Sequence, residues 1–182
     1  MAAFSATLST CLPKEASDAR DDYYVEISHI ATPIPPRHQL LQLLQQGDWQ
    51  DAVVLWGRRP IVVASTVPCV DAEEMRAILS AFETGRDVII ARGLFFQRQR
   101  YGVSCHDPPL LYGNRGTIDD TEGLVVVKGR QVGTGEDTVF IVTYRPPLLS
   151  AYVVPRVIEF SRRFLGFLPF KQPPPSDLSL QR

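Results

Sequence analysis

Cysteine is scarce in this sequence. It has three cysteines, Cys11, Cys69 and Cys105, and no CxxC pair, so neither a disulfide framework nor a structural zinc site is predicted. No apolar stretch approaches the roughly 18 residues that cross a bilayer, and the N-terminus lacks the basic and apolar regions of a secretory signal. We therefore expect a protein of a reducing compartment, the cytoplasm by default, with no transmembrane segment.

Neither sign of charge is in clear excess. Lysine and arginine number 19 against 20 aspartates and glutamates, which gives a formal net charge of -1. Such a chain has no overall positive field to attract nucleic acid, so no nucleic-acid partner is expected. Its 182 residues, 45% of them hydrophobic, suffice for one domain with a real core.

Motifs for catalysis and cofactor binding are missing. Cys105-His106-Asp107 has the residue types of a nucleophile with its base. However, adjacent side chains of a strand point to opposite faces, so Cys105 and His106 are not expected to bond to each other. The glycine-containing turns lack the P-loop and GxGxxG patterns. The sequence therefore predicts a non-catalytic protein without a cofactor.

Metal ligands are not clustered along the chain. His29, His38 and His106 are far apart in the sequence and share no metal-ligand spacing. The acidic stretch from Asp119 to Glu122 lacks the spaced oxygen pattern of a calcium loop, and we interpret it as the solvated tip of a hairpin. No metal site is predicted.

The two ends of the chain lack the hydrophobic periodicity of a folded domain. Prolines at residues 33–36 favour extended polyproline II geometry, and Val25 and Ile27 before them could alternate on one side of a short added strand. Near the other end, prolines at residues 173–175 make the chain stiff. The predicted organisation is an N-terminal extended arm over residues 1–37, a folded domain over residues 38–168 and a proline-rich tail over residues 169–182.

Apolar residues at helical spacing predict three helices in the folded domain. The first begins near His38. The second begins at Asp71, which together with Glu74 resembles a capping box, and it is closed by Gly85. The last carries Pro155 in its first turn, where a missing amide hydrogen costs nothing.

Apolar and β-branched runs between these helices predict strands. Runs at residues 52–56 and 61–64 are separated by a Gly-Arg-Arg-Pro turn and predict a hairpin whose two strands are both largely buried. The order of helices and strands predicts an α+β domain with one mostly antiparallel sheet covered by helices. The remaining strand candidates are residues 93–97, 101–105, 110–112, 124–128 and 139–144.

Seven short motifs in these segments follow one another in a characteristic order and spacing. They are Gln50-Asp51-Ala52, Val63 to Ser65, Glu74 and Phe82 in a helix, Gly93 to Phe96, Leu111-Tyr112, Gly123 to Lys128 and Val142 to Tyr144. In this order and spacing they resemble the profilin family, and the later motifs are most similar to the divergent testis-type profilins. The resemblance spans about residues 38–168 and implies a central sheet with the N- and C-terminal helices packed on one face.

The resemblance also implies binding functions. Profilins bind monomeric actin, proline-rich peptides between the two terminal helices, and phosphoinositide headgroups. For actin, Lys128 on a strand and Glu159 on the last helix match family contact positions. Phosphate recognition favours the arginine fork. The basic residues that would gather around phosphoinositide or another anion are Arg58, Arg59, Arg98 and Arg100.

The proline-peptide site departs from the family pattern. Proline rings need flat aromatic faces and a hydrogen-bond donor, which Gln, Val and Pro side chains do not supply, so the usual proline-peptide binding is not expected. Phe164, Phe167 and Phe170 would rebuild part of a groove, but Phe164 is interpreted as a core residue. The positions that correspond to the family's aromatic and histidine residues are Pro36, Gln39, Val63, Arg163 and Pro169.

The favoured hypothesis is therefore a non-catalytic cytoskeletal binding protein. It would be either an actin-monomer binder or a fixed component of a larger assembly, such as a ciliary or flagellar axoneme, docked through its terminal extensions. The alternative is an adaptor of the longin or roadblock type in trafficking or motor complexes. Terminal helices packed on one sheet face favour the first hypothesis, whereas a continuous sheet across two copies favours the adaptor.

Overall fold

A computed structural model describes residues 34–117, 120–131, 134–166 and 168. The predicted arm and tail therefore lie outside the described residues, except for residues 34–37. The described chain contains four α-helices, seven strands and one π-helical turn. In chain order they are α1 (Arg37–Gln45), β1 (Asp51–Trp56), β2 (Ile61–Ser65), α2 (Ala72–Ala81), α3 (Arg86–Arg92), β3 (Leu94–Phe96), β4 (Gln99–Asp107), β5 (Leu110–Arg115), β6 (Glu122–Arg130), β7 (Asp137–Tyr144), α4 (Ser150–Phe160) and the π-helical turn (Ser161–Leu165).

The strands form one seven-stranded sheet in the order β2-β1-β7-β6-β5-β4-β3. Every pair of neighbours is antiparallel, and the long central strands β6 and β7 pair from Gly123 with Tyr144 to Arg130 with Asp137. Each predicted strand is present, and most extend beyond the predicted runs. Tight turns between consecutive strands explain the antiparallel order, because such turns cannot provide the crossover that a parallel pair needs.

The side chains of the sheet alternate between two hydrophobic clusters, one on each face. Along β6, Leu124 and Val126 pack in the cluster with α2 and α3. Val125 and Val127 pack in the opposite cluster, with α1 and α4. The first and last helices therefore share one face of the sheet, which confirms the predicted α+β, profilin-like architecture.

Aromatic rings join the two terminal helices to the sheet. Phe140 of β7 stacks on Phe160 of α4 at 4.7 Å between ring centroids. Trp49, in the loop after α1, meets both rings edge-on at 5.5 Å. In the same loop, Asp48 accepts hydrogen bonds from Arg156 and Tyr152 of α4. This loop therefore fixes α4 relative to α1.

Three local predictions about helices differ from the structure. Asp71 is the N-cap of α2, as predicted, and accepts bonds from the amides of Glu73 (2.7 Å) and Glu74 (3.2 Å). The Glu74 carboxylate, however, accepts from the Arg98 amide at 2.7 Å, so it bonds to the β3–β4 turn. The second helix ends at Ala81 rather than Gly85, and Gly85 precedes α3, which was not predicted.

Two further predictions were wrong at the edges of the fold. Pro155 lies inside α4, not in its first turn, because the helix begins earlier, at Ser150. The second hairpin strand is not largely buried, since Ile61 is 66% exposed and Val62 is 38% exposed. Strand β2 lies at the edge of the sheet, where one of its sides has no neighbouring strand among the described residues.

Candidate interaction surfaces

Lys128 lies on β6, on the sheet face covered by α2. Its Nζ is 3.2 Å from Asp137 Oδ2 and 3.8 Å from Glu83 Oε1. The Lys128 side chain is 21% exposed and that of Glu83 is 80% exposed. Lys128 therefore lies at the bottom of a surface hollow, where acidic neighbours hold its ammonium group in place.

This hollow, which we call the Lys128 depression, has a volume of about 550 Å³. An adjoining hollow of about 300 Å³ shares Lys128 and Asp137 with it and extends past Phe82 to Pro108 and Pro109. Four cationic side chains and two acidic ones surround the larger hollow, so positive charge is in excess. Its lining residues are Arg58, Arg76, Leu79, Ser80, Glu83, Lys128, Arg130 and Asp137.

The four cationic side chains of the Lys128 depression differ in whether they form salt bridges. Arg130 reaches Asp137 at 3.6 Å, and Lys128 is paired as described. Arg58 and Arg76 are exposed and form no salt bridge within the part of the chain that the structure describes. An arginine without an internal ion pair can bind a carboxylate of another protein through two parallel N–H···O hydrogen bonds. The depression is thus suited to an acidic protein surface.

Glu159, the second residue that the resemblance assigns to actin, lies elsewhere. It is an exposed residue of α4. Helix α4 packs on the face opposite the Lys128 depression. The structure therefore does not bring Lys128 and Glu159 together on one side of the sheet.

The four arginines proposed for anion binding are divided between two hairpins. Arg58 and Arg59 lie in the turn between β1 and β2, whereas Arg98 lies in the β3–β4 turn and Arg100 on β4. These two strand pairs form opposite edges of the sheet. Arg100 donates to the carbonyls of Arg92 (2.9 Å) and Ala91 (3.0 Å), so it caps the end of α3. Only Arg58 of the four lines the Lys128 depression.

The residues at the degenerate proline-peptide positions supply no aromatic platform. Pro36 precedes α1 and Gln39 is exposed on it, while Val63 of β2 packs partly buried against the α1–α4 cluster. Arg163 lies in the π-helical turn with its guanidinium 5.2 Å from the ring centroid of Phe164. Pro169 lies outside the described residues.

The aromatic rings between α1 and α4 are part of the core. Phe164 packs against the cluster that contains Phe160, and their centroids are 4.9 Å apart, in agreement with its interpretation as a core residue. Trp49 donates its indole N–H to the Leu44 carbonyl at 2.6 Å, so this donor is already used. The side chain of Phe167 and all of Phe170 lie outside the described residues.

Sequence reasoning missed the buried carboxylate of Glu122, which we had assigned to a solvated hairpin tip. Glu122 is 5% exposed. It accepts from Arg115 at 2.8 Å and from Arg145 at 2.7 Å, and the Tyr101 hydroxyl donates to its other oxygen. Burial alone would raise the pKa of Glu122, but these hydrogen bonds and the nearby positive charge outweigh it and lower the pKa. Its partners lie on β4, on β5 and just after the end of β7, so no local motif indicates it.

The Cys105-His106 pair does not form a nucleophile. Nε2 of His106 is 2.9 Å from the Ala81 carbonyl oxygen, at the end of α2. Burial, and secondarily Asp107, raises the pKa of the Cys105 thiol, which is the opposite of thiol activation.

Among the described residues, no group of three or more His, Cys, Asp or Glu side chains is arranged to hold a metal. Within the same residues, no helix is long and apolar enough to span a membrane.

Comparison with known proteins gives matches in structure only. No protein-family model matches the sequence, and no curated protein is similar to it in sequence. Profilin IA of Acanthamoeba castellanii superposes with a TM-score of 0.53 at 20% identity, over 66% of this chain and 87% of that chain. Schizosaccharomyces pombe profilin gives 0.54 at 15% identity, over 67% and 88%. Identities this low establish shared architecture and nothing further, so the chain has a profilin-like fold.

Proposed function

We propose that this chain is a non-catalytic cytoskeletal binding protein that binds monomeric actin through the Lys128 depression. The fold supports the class of function, although fold alone does not establish it. The observation that carries the proposal is the concave basic surface on the α2 face, in which Arg58 and Arg76 form no salt bridge with any described residue. From this role we propose that the protein is located in the cytoplasm and at the cytoskeleton.

Charge reversal on the Lys128 depression tests this proposal. In a pyrene-actin polymerisation assay, the full chain should slow filament growth by sequestering monomers. Arg76→Glu should weaken the effect tenfold or more, because loss of an interfacial charge pair costs about 1.4 kcal/mol or more. Arg86→Glu makes the same change on the exposed first residue of α3, outside the depression, and should leave the effect unchanged. No effect of the wild-type chain at high excess would exclude actin binding.

A fixed place in a larger cytoskeletal assembly is the second form of this proposal. The structures of similar fold cover 66% and 67% of this chain, so about a third of it has no counterpart in them. The resemblance of the later motifs to testis-type profilins suggests a ciliary or flagellar axoneme as the setting. Affinity purification from ciliated cells, with and without residues 1–33, tests it: loss of axonemal proteins on truncation is the expected result.

The adaptor alternative and the other ligands of the family receive less support. An adaptor of the longin or roadblock type is disfavoured because α1 and α4 share one face of the sheet. Phosphoinositide would bind in the Lys128 depression through Arg58 and Arg76, since Arg98 and Arg100 lie at the other edge. Flotation of the wild-type chain with phosphoinositide liposomes, in the absence of actin, tests lipid binding by itself, and Arg76→Glu should weaken that binding too.

A further inference from the structure

The two edges of the sheet differ in how well they are protected. The β3 edge has three residues, the turn after it carries Arg98, and Arg100 of β4 pairs with Phe95 of β3. Short length and charge are ordinary devices that prevent an edge strand from pairing with another chain. The β2 edge, Ile61–Ser65, has five residues and contains no charge and no proline.

The unprotected edge also exposes apolar side chains. Ile61 is 66% exposed and Val62 is 38% exposed, and Trp56, which pairs with Ile61, is 36% exposed. Within the described residues, β2 pairs with β1 alone, so its outer backbone groups have no strand partner there. Apolar side chains beside an open backbone edge are the features that strand addition uses.

Exposed apolar surface is present on both sides of this edge. Ile61 pairs with Trp56, two residues beyond Val54 of the α1–α4 cluster. Val62 pairs with Leu55, which belongs to the α2 cluster on the other face. A strand that covered this edge would therefore need apolar residues on both of its faces near the Ile61 end.

We propose that residues 24–30 of the same chain form an eighth strand, antiparallel to the outer edge of β2. Their sequence, Tyr-Val-Glu-Ile-Ser-His-Ile, is rich in β-branched and aromatic residues. Val25 and Ile27 fall on one face of such a strand, and Tyr24 and Ile30 fall on the other. The segment therefore supplies apolar residues to both sides of the β2 edge.

The reach of the chain favours this segment as the occupant. Ile34 packs against the α1–α4 cluster together with Val63 of β2. The chain from Ile30 to Ile34 spans up to about 14 Å when extended, comparable to the length of β2. Prolines at positions 33, 35 and 36 cannot continue a ladder, so the added strand would end before them. The tail after residue 168 is rich in proline and polar residues and offers no comparable run.

This inference does not depend on actin binding. An added strand protects the apolar edge from pairing with other chains. It also restrains the chain that leads into α1, because that chain is then paired with β2. It also makes the arm part of the folded domain, so that residues before it extend from the β2 side of the molecule. The arm is then a structural element, and an anchoring role belongs to its first residues.

Hydrogen exchange on the full-length protein tests the proposal. Amides of residues 24–30 should exchange at least about tenfold more slowly than those of residues 10–16 in the same chain. The double variant Ile61→Lys/Val62→Lys places charge on the β2 edge and should abolish this difference. The control Val88→Lys/Ile90→Lys makes the same change at two exposed apolar residues of α3 and should preserve it.

Three results would overturn the proposal. Exchange of residues 24–30 as fast as that of residues 10–16 in the wild-type protein would show that no strand is added. Protection that survives Ile61→Lys/Val62→Lys would place the segment somewhere other than β2. Protection that disappears on dilution, with a dimer in light scattering, would show that the strand comes from a second copy.

Discussion

Glu122 and Arg145 are joined by two hydrogen bonds between β6 and the end of β7. Both Nε and Nη2 of Arg145 donate to Oε2 of Glu122, at 2.9 and 2.7 Å. Arg115 donates to the same oxygen at 2.8 Å, and the buried Tyr101 hydroxyl donates to the other. A buried carboxylate is tolerated only when donors replace its lost water. This cluster therefore links strands β4 to β7 at one end of the sheet.

Replacing Glu122 by Gln should destabilise the fold at neutral pH. The change removes the charge that two partly exposed arginines share and weakens their hydrogen bonds to this side chain, at a cost of about 1.5 kcal/mol in the free energy of unfolding. Urea unfolding monitored by circular dichroism measures this cost. Glu159→Gln removes an exposed carboxylate and should change the free energy of unfolding by less than about 0.5 kcal/mol. Equal effects of the two variants would mean that the Glu122 cluster does not stabilise the fold.

The same cluster should make stability depend on pH. The pKa of Glu122 is lowered in the folded state, so its contribution is complete above the unfolded pKa of about 4.3. It is lost as pH falls through the lower, folded pKa. The difference in unfolding free energy between wild type and Glu122→Gln should therefore be largest at neutral pH and shrink in acid. A difference that stays constant to pH 3 would contradict this assignment.

Much of the fold was predictable because its strands and long helices carry strong local patterns. The runs at residues 52–56 and 139–144 are apolar enough to indicate central strands, and they pair in the structure. Helix α3 was missed because only one of its apolar residues, Ile89, is buried, while Val88 and Ile90 are exposed. A seven-residue helix with one buried apolar position has no detectable period.

The candidate surfaces were less predictable, because they depend on which segments the sheet brings together. Arg58 and Arg76 come from a hairpin turn and a helix, yet both line the Lys128 depression. The buried carboxylate of Glu122 accepts four hydrogen bonds, and none of the donors lies within four positions of Glu122 in the sequence. Charge patterning along one segment cannot reveal such contacts, since a charged turn residue is usually solvated.

The close approach of β4 and β5 predicts a specific glycine requirement at position 113. A Cβ at Gly113 would lie 1.9 Å from the carbonyl oxygen of Gly102, whereas a Cβ at Gly102 would lie 3.6 Å from that of Asn114. Gly113→Ala must therefore push the strands apart, which should cost about 2 kcal/mol or more. Gly102→Ala is the matched control in the same strand pair and should cost clearly less. Thermal unfolding compares the two variants.

The aromatic core between α1 and α4 predicts that this protein is not retained on immobilised poly-proline. Trp49 and Phe160 pack their rings against Phe140, and Val63 offers no ring. Proline recognition depends on such exposed rings and on a free donor, and the indole N–H of Trp49 already bonds to the Leu44 carbonyl. Passage through a poly-proline column without delay, with an SH3 domain as the positive control, is the expected result. Specific retention that competes with free proline-rich peptide would show that another surface of the chain supplies the rings.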